Sequence, residues 1–242
     1  MASSAAGKRI NGRLAELRVT ILGNGAEAAA VACGMVASGI GEVRLGDLEQ
    51  GTVTQGIWPA VAVGGLELLD LEADLLVVAM SPARDSATLV GPLKPSVTRA
   101  AKASPHGIFI VATKPVEPLC ELVWRLSAWP RERVLGVRGG GGTRPGTASG
   151  SLALVAAVRR AVIAIGEDRH EVVPCAARLE GELGVEGVFS FAPVRLGRVG
   201  VEGIVEAGLN DEQRALLKVA AAMAVAETKA VLRAAGLLEK SG

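Results

Sequence analysis

The sequence predicts an α/β protein with a Rossmann-type, doubly wound and mostly parallel sheet, followed by a smaller, truncated α+β C-terminal domain. Strand-like apolar runs alternate with helix-like segments through the first part of the chain, which is typical of such a sheet. A glycine-containing turn joins the first strand to the first helix. Later, short strand candidates joined by glycine turns precede one long helix. We therefore expect an N-terminal tail over 1–13, a Rossmann domain over 14–145 and a C-terminal domain over 146–242.

The first part of the chain supplies five predicted strands. Continuous runs of Val, Ile and Leu are typical of strands that a parallel sheet buries on both faces. Helices are expected after Gly25, at 96–103 and at 118–128. The stretch between Gly56 and Glu72 is short, so the sequence leaves open whether it holds a further strand. The five strand runs are LRVTIL (17–22), GEVRLGD (41–47), ADLLVVAM (73–80), GIFIVAT (107–113) and RVLGV (133–137).

The pattern changes in the C-terminal part. SLALVAAVRRAVIAIG (151–166) is predicted to be one helix, and the glycine-separated strand candidates after it favour an antiparallel sheet. Asn210 is a favourable N-cap for a helix over 211–235, and Gly236 suits the helix end. The strand candidates are EVVPCAARLEG (171–181), GVFSFAPVRLG (187–197) and GIVEAGL (203–209).

Composition and charge exclude several classes of function. A net charge of +1 and a pI near 7.7 give no electrostatic basis for nucleic-acid binding, and no uncharged apolar run is long enough to span a membrane. The start of the chain lacks an apolar signal segment and the three cysteines are far apart, so we expect a cytoplasmic protein without disulfides. His106 and His170 form no zinc-ligand spacing with the three cysteines, which disfavours a metal site. The absence of tyrosine excludes mechanisms that need a phenolic acid or base.

A dinucleotide-binding fingerprint lies between the first predicted strand and helix. Residues 23–28 read Gly-Asn-Gly-Ala-Glu-Ala, the G-x-G-x-x-A variant, whose glycines allow a tight turn and the approach of a pyrophosphate to the backbone. Asp47 ends the next predicted strand about 20 residues further on, where an acidic side chain binds the ribose 2′-hydroxyl and favours NAD over NADP. The alternative is a plain strand–helix turn with a surface aspartate. The sequence thus predicts NAD contacts at Gly23, Asn24, Gly25, Ala26 and Asp47.

Several segments together resemble the lactate/malate dehydrogenase family. VTILGNGAEAAAVA is similar to the first strand–helix unit of that family, and GEVRLGD is similar to its second strand with the acidic residue. FIVATKP resembles the family's strand that ends in T-N-P. The part from VVPCAARLEG to LNDEQRALL is similar almost throughout to the family's last sheet and last helix. The resemblance covers most of the chain.

The resemblance implies hydride transfer between NAD(H) and a small 2-hydroxy or 2-oxo acid. In that family a histidine oriented by an aspartate takes the hydroxyl proton, which suits imidazole because its pKa lies near neutrality. One arginine binds the substrate carboxylate, and others lie on a mobile loop. Members associate through helices of both halves, and this chain keeps the helix after Ala26 and the helix at 211–235. The resemblance therefore implies a homo-oligomer, a dimer for example, or a heteromer with a full-length dehydrogenase.

The chain departs from the family pattern where the catalytic groups belong. The family's aspartate and carboxylate-binding arginine follow the strand that matches RVLGV, and here that place holds the glycines 139–142, Thr143 and Arg144. The long family segment that carries the histidine has no counterpart. Lys114 replaces the asparagine of T-N-P, and Arg84 takes the place of one loop arginine. The possible substrate or anion contacts are therefore Arg84, Lys114 and Arg144.

The four glycines have two interpretations. They are either a flexible splice across a deletion that removed the catalytic segment, or a nest of backbone N–H groups for an anion. We favour the splice, because GGGGTRPG lacks the lysine and hydroxyl of a phosphate-binding loop in register. His106 and His170 are interpreted as surface residues. Three functions remain open: a divergent NAD-dependent dehydrogenase, a non-catalytic NAD-binding sensor or regulatory partner, and a structural subunit that binds no nucleotide.

Overall fold

The computed structural model describes residues 14–47, 61–81, 86–140 and 148–238. Its strands are β1 (Arg18–Gly23), β2 (Glu42–Asp47), β3 (Val61–Gly64), β4 (Leu75–Ala79), β5 (Ile108–Val111), β6 (Val134–Gly136), β7 (Glu171–Glu180), β8 (Glu186–Gly197) and β9 (Gly200–Ile204). All of these strands join one sheet in the order β3-β2-β1-β4-β5-β6-β7-β8-β9. The predicted tail over 1–13 and the predicted domain boundary after residue 145 lie outside the described residues, so the domain division stays a prediction.

Five α-helices connect or follow the strands. They are α1 (Gly25–Ala37), α2 (Ser86–Ala103), α3 (Val116–Ser127), α4 (Ala148–Gly166) and α5 (Asp211–Ala234). Short 3₁₀ helices lie at Leu14–Glu16, Leu66–Asp70, Arg131–Arg133 and Glu182–Gly184.

The first six strands confirm the Rossmann-type sheet. Neighbouring strands from β3 through β6 pair in parallel, and every residue of β4 and β5 is buried, as their continuous apolar runs predicted. The further strand that the sequence left open is present: β3 pairs in parallel with β2, with Val61 opposite Val43. The order β3-β2-β1-β4-β5-β6 is that of a doubly wound nucleotide-binding sheet.

Helix α2 begins ten residues before its predicted start at residue 96. Prolines stand at positions 92 and 95, and each lacks the N–H that a helix interior uses. The structure continues the helix through both prolines. Leu93 and Val97 are fully buried on this helix, so packing against the sheet outweighs the missing hydrogen bonds.

The C-terminal strands are antiparallel, as predicted, and they extend the same sheet. β7 pairs with β6 through Ala176 and Gly136, and β8 and β9 follow as hairpins. The third strand candidate, 203–209, was placed too late, because β9 begins at Gly200 and ends at Ile204. Gly200 pairs with Gly197 across a tight turn, so the return strand starts at once.

Two apolar clusters cover the two faces of the sheet. One contains residues of α1 and α4, and the other contains residues of α2, α3 and α5. Helices α1 and α4 pack closely, because a Cβ on Gly34 would collide with Val155. Arg159 of α4 also donates to the hydroxyl of Ser38 at 2.9 Å, just after α1. Helix α1, which the sequence predicted to take part in association, is therefore in contact with α4 of the same chain.

Helix α5 begins at the predicted residue. Asn210 and Gln213 form a reciprocal capping box, with the Gln213 N–H donating to Asn210 Oδ1 at 2.8 Å. Large apolar side chains along this helix are exposed: Leu216 by 63%, Val219 by 59% and Met223 by 72%. None of the described helices is long and apolar enough to cross a membrane.

Candidate functional site

The fingerprint turn is sterically fixed at the end of β1. A Cβ on Gly23 would collide with the carbonyl oxygen of Ala79 and would lie 2.8 Å from the Cβ of Ala28. Only glycine fits at the first position, and only a small residue fits at the last, which is the packing reason for G-x-x-x-x-A here. Gly25 has φ +66°, a left-handed conformation that favours glycine, and it starts α1 directly after Asn24.

Ser81 fastens this turn to the neighbouring strand. Its backbone N–H donates to Asn24 Oδ1 at 3.0 Å, and its hydroxyl donates to the Asn24 carbonyl oxygen at 3.3 Å. A Cβ on Gly25 would collide with the same hydroxyl. Sequence reasoning missed Ser81, although its place directly after the buried run of β4 is a signal for a residue at the carboxyl edge of the sheet.

The other predicted cofactor contacts lie beside this turn. Asp47 ends β2 opposite Gly23 in the parallel register, so the two strand ends are neighbours. Ala26 lies in the first turn of α1, whose free N–H groups and positive dipole end attract an anion. The backbone places these residues together, and their roles as contacts stay predictions.

The end of β5 is tied to the end of β4. Thr113 Oγ1 accepts from the N–H of Met80 at 2.7 Å and donates to the carbonyl oxygen of Val78 at 3.3 Å. Lys114 follows at the same edge, with an exposed side chain. Of the three predicted anion contacts, Arg84 and Arg144 lie outside the described residues.

The chain beyond β6 passes directly to α4. A Cβ on Gly139 would lie 3.1 Å from the backbone nitrogen of Leu154 and 3.2 Å from the Cβ of Ala153. The first glycine of the run is therefore packed against α4. The choice between splice and anion nest stays open, because Gly141 and Gly142 lie outside the described residues.

A pocket of about 570 Å³ lies just beyond β6, and sequence reasoning did not find it. Arg138 borders it, with the guanidinium 4.0 Å above the ring of the buried Phe191. Burial raises the pKa of the nearby Glu117, and the positive charge of Arg138 partly opposes this rise.

The two histidines lie where the sequence placed them, next to strand starts. His106 is exposed before β5. His170 precedes β7, and its Nδ1 lies 2.8 Å from Glu202 Oε2, a hydrogen bond that raises the histidine pKa. Asp168 joins this pair, and one possible ligand atom from each of the three residues lies within 4.8 Å of the others. Arg198 also pairs with Asp168 at 3.5 Å, so the cluster is satisfied by protein partners.

The cysteines offer no activated nucleophile. Burial raises the pKa of the Cys175 thiol to about 12 and also raises that of Cys120, so both stay protonated at neutral pH. Cys33 is half-buried on α1.

No family model matches this chain. A malate dehydrogenase from Roseiflexus sp. is 42% identical over 88 residues, which are 36% of this chain and 28% of that protein. Malate dehydrogenase 1 from Anaeromyxobacter dehalogenans is 49% identical over 51 residues, 21% of this chain and 16% of that protein. The aligned segments thus span less than a third of the curated relatives.

Solved structures match over far more of the chain. Malate dehydrogenase from Salinibacter ruber has a TM-score of 0.74 at 20% identity, covering 91% of this chain and 100% of that one. Minor L-lactate dehydrogenase from Enterococcus mundtii, in its ligand-unbound form, has a TM-score of 0.73 at 21% identity, covering 93% and 98%. These likenesses establish the fold, and together with the sequence matches they confirm the resemblance to the lactate/malate dehydrogenase family.

Proposed function

We propose that this chain is an NAD(H)-binding relative of the lactate and malate dehydrogenases, by lineage an oxidoreductase of 2-hydroxy acids with weak or no turnover. One observation carries the proposal. The turn that receives a dinucleotide is kept in detail around Gly23 and Gly25, whereas a histidine–aspartate pair is absent from the carboxyl ends of the described parallel strands.

The residues of the fingerprint turn fit a dinucleotide. Gly23 and Gly25 would leave the backbone open to a pyrophosphate, and Asn24 and Ala26 would hold it through the start of α1. Asp47 would bind the ribose hydroxyls, since its strand end lies beside Gly23. When bound, NAD supplies a carbon that accepts or donates a hydride.

Weak or absent substrate turnover is the second part of the proposal. General acid–base catalysis contributes about 10²–10⁴-fold, and its loss leaves a dehydrogenase with weak activity at best. A 2-hydroxy or 2-oxo acid would still find cationic side chains, and Arg84, Lys114 and Arg144 are the proposed contacts.

The alternative function is a non-catalytic NAD-binding sensor, or a regulatory or structural subunit. The exposed apolar face of α5 favours a partner, either a second copy or a full-length dehydrogenase. We place such a protein in the cytoplasm, consistent with its scattered, unpaired cysteines.

Nucleotide binding is the decisive test. The pure protein is titrated with NADH while the nicotinamide fluorescence is followed, and we expect saturable binding. Gly25→Val should abolish it, because a side chain there meets the Ser81 hydroxyl and fills the pyrophosphate approach.

Gly39→Val is the matched control. Gly39 also has a positive φ, +79°, but nothing lies within 4 Å of its would-be Cβ, so the variant carries similar backbone strain without blocking the turn. Equal NADH affinity in both variants would remove the nucleotide from this site. No binding to the unmodified protein would leave the structural subunit as the function.

A further inference from the structure

The pocket beyond β6 lies at the carboxyl ends of the parallel strands, as the fingerprint turn does, but several strands away from that turn. Arg138 and the first two glycines of the glycine run line it on one side, and β7, β8 and α5 line the other. In the sheet order, β4 and β5 stand between β1 and β6, which separates the two places by about 14 Å at the usual strand spacing. Its volume of about 570 Å³ is that of a small-molecule site.

Arg138 supplies the charge of this pocket. Its guanidinium carbon lies 4.0 Å from the centre of the Phe191 ring, which is a cation–π contact. Within the described residues, the guanidinium makes no hydrogen bond or ion pair. A guanidinium without such a partner can bind a carboxylate through two parallel hydrogen bonds.

Apart from Gln213, the rest of the described lining is apolar. The amide oxygen of Gln213 already accepts from the Asn210 N–H in the capping box. A ligand with a second carboxylate would lose water from that group without a cationic partner, which is costly. A branched or aromatic body would instead contact Pro174, Phe191, Pro193, Leu209, Leu216 and Leu217.

We propose that this pocket binds a monocarboxylate with a branched or aromatic apolar body, with the carboxylate on Arg138. The proposal rests on the proposed function at one point: the acid that binds in this pocket would be the substrate of the dehydrogenase relative. It narrows the substrate class, because it favours apolar monocarboxylic acids over dicarboxylic acids such as malate.

Calorimetric titration of the nucleotide-free protein tests the pocket directly. The probes are 4-methylpentanoate, the uncharged 4-methylpentan-1-ol, and malate as the dicarboxylate. We expect 4-methylpentanoate to bind about threefold more tightly than the other two, because Arg138 is an exposed arginine and solvent weakens its ion pair with a carboxylate. Arg138→Gln should remove that preference. The matched control Arg195→Gln, an exposed arginine on β8 that does not line the pocket, should keep it.

A second pair of variants tests the apolar wall. Ala220 lines the pocket and is exposed, so Ala220→Trp should fill the pocket and abolish binding without unfolding the chain. Ala222→Trp, also exposed on α5 but outside the lining, should bind normally. Malate binding as well as 4-methylpentanoate, or binding unchanged in Arg138→Gln, would overturn the proposal.

Separate NADH titrations keep the two proposals apart. Acid binding without NADH binding would uphold the pocket and refute the nucleotide site. NADH binding together with no affinity for 4-methylpentanoate would do the reverse.

Discussion

The carboxyl ends of β1 and β6 lie on the same side of the sheet. They differ in how strictly the surrounding packing restricts which residues fit there. At β1, the carbonyl oxygen of Ala79 and the side chain of Ala28 leave no room for a Cβ on Gly23. At β6, an open pocket adjoins a glycine run, and nothing lies within 4 Å of a would-be Cβ on Gly140. The difference shows that backbone packing alone can preserve the shape of the turn after β1. The region beyond β6 depends instead on side chains that the packing of the core does not require.

This contrast supports the proposal that a dehydrogenase-like fold persists here without a catalytic pair. The turn at β1 is part of the core, so changes there destabilise the protein whether or not it binds a nucleotide. The residues beyond β6 border solvent and are free to change. A preserved fingerprint is therefore evidence of fold first and of nucleotide binding second.

The largest effect is expected from Gly23→Ala. The added Cβ meets the backbone of β4, which cannot give way as a flexible side chain could, so we expect a loss of about 3 kcal/mol or more in the free energy of unfolding. Urea denaturation followed by circular dichroism measures it. Gly91→Ala is the matched control, because its Cβ meets open space on α2, and it should stabilise by about 0.5–1 kcal/mol. Equal effects of the two substitutions would contradict the rigid turn.

Catalysis should show the next largest difference between the two ends. We expect malate or lactate turnover to be at least about 10²-fold below that of an intact dehydrogenase, because the proposed function lacks the proton-carrying histidine–aspartate pair. A spectrophotometric NADH assay over a panel of 2-oxo acids measures it. His170→Asn and His106→Asn should leave any residual rate unchanged. A high rate that disappears in either variant would reveal a relocated acid–base group.

The sequence predicted the parallel sheet because its buried strands are continuous apolar runs, and β4 and β5 are buried at every residue. It missed the early start of α2, since Pro92 and Pro95 are local signals that tertiary packing outweighs. It placed β9 late, because the tight turn at 198–199 carries no glycine–asparagine signature. Local sequence patterns predict which helices and strands form, whereas long-range contacts determine the residues at which they begin and end.

The candidate site was predictable only in part. The fingerprint has a sequence signature because each of its two glycines stands where a side chain would be sterically unfavourable. Ser81 has only its place after β4 as a signal, because its hydrogen bonds are made with Asn24, 57 positions away in the chain. The pocket at Arg138 is formed by β6, β8 and α5, which are far apart in the chain, so no local sequence pattern predicts it.

Assembly extends the comparison to the helices of the two halves. Helix α1 packs against α4 of the same chain, whereas α5 exposes Val219 and Met223. We expect a homodimer, or a heteromer with a full-length dehydrogenase, formed through α5. Met223→Glu should raise the dimer dissociation constant by at least about tenfold, because it places a charge in an apolar contact. Light scattering at micromolar concentration measures the mass.

Leu152→Glu is the control for assembly. Leu152 lies on α4 and is 71% exposed, against 72% for Met223, so the two substitutions alter equally exposed apolar side chains. Dissociation caused by Leu152→Glu and not by Met223→Glu would move the interface to the α1–α4 side. A monomeric mass for the unmodified protein, unchanged when an intact family member is added, would contradict association altogether.

The smallest effect is expected from a substitution of Asp47. This prediction compares two positions of the fingerprint, one that packing restricts and one that it does not. Its strand end lies opposite Gly23, but the packing that fixes Gly23 does not require a carboxylate at the end of β2. Asp47→Ser should therefore leave folding unchanged while weakening NADH by about tenfold, the value of one charge-assisted hydrogen bond. Binding of NADPH should weaken less or improve, because the carboxylate that repels a 2′-phosphate is gone. Parallel fluorescence titrations with the two nucleotides give the ratio of dissociation constants, and an unaltered ratio would remove Asp47 from the ribose site while leaving the turn at Gly23 and Gly25 intact.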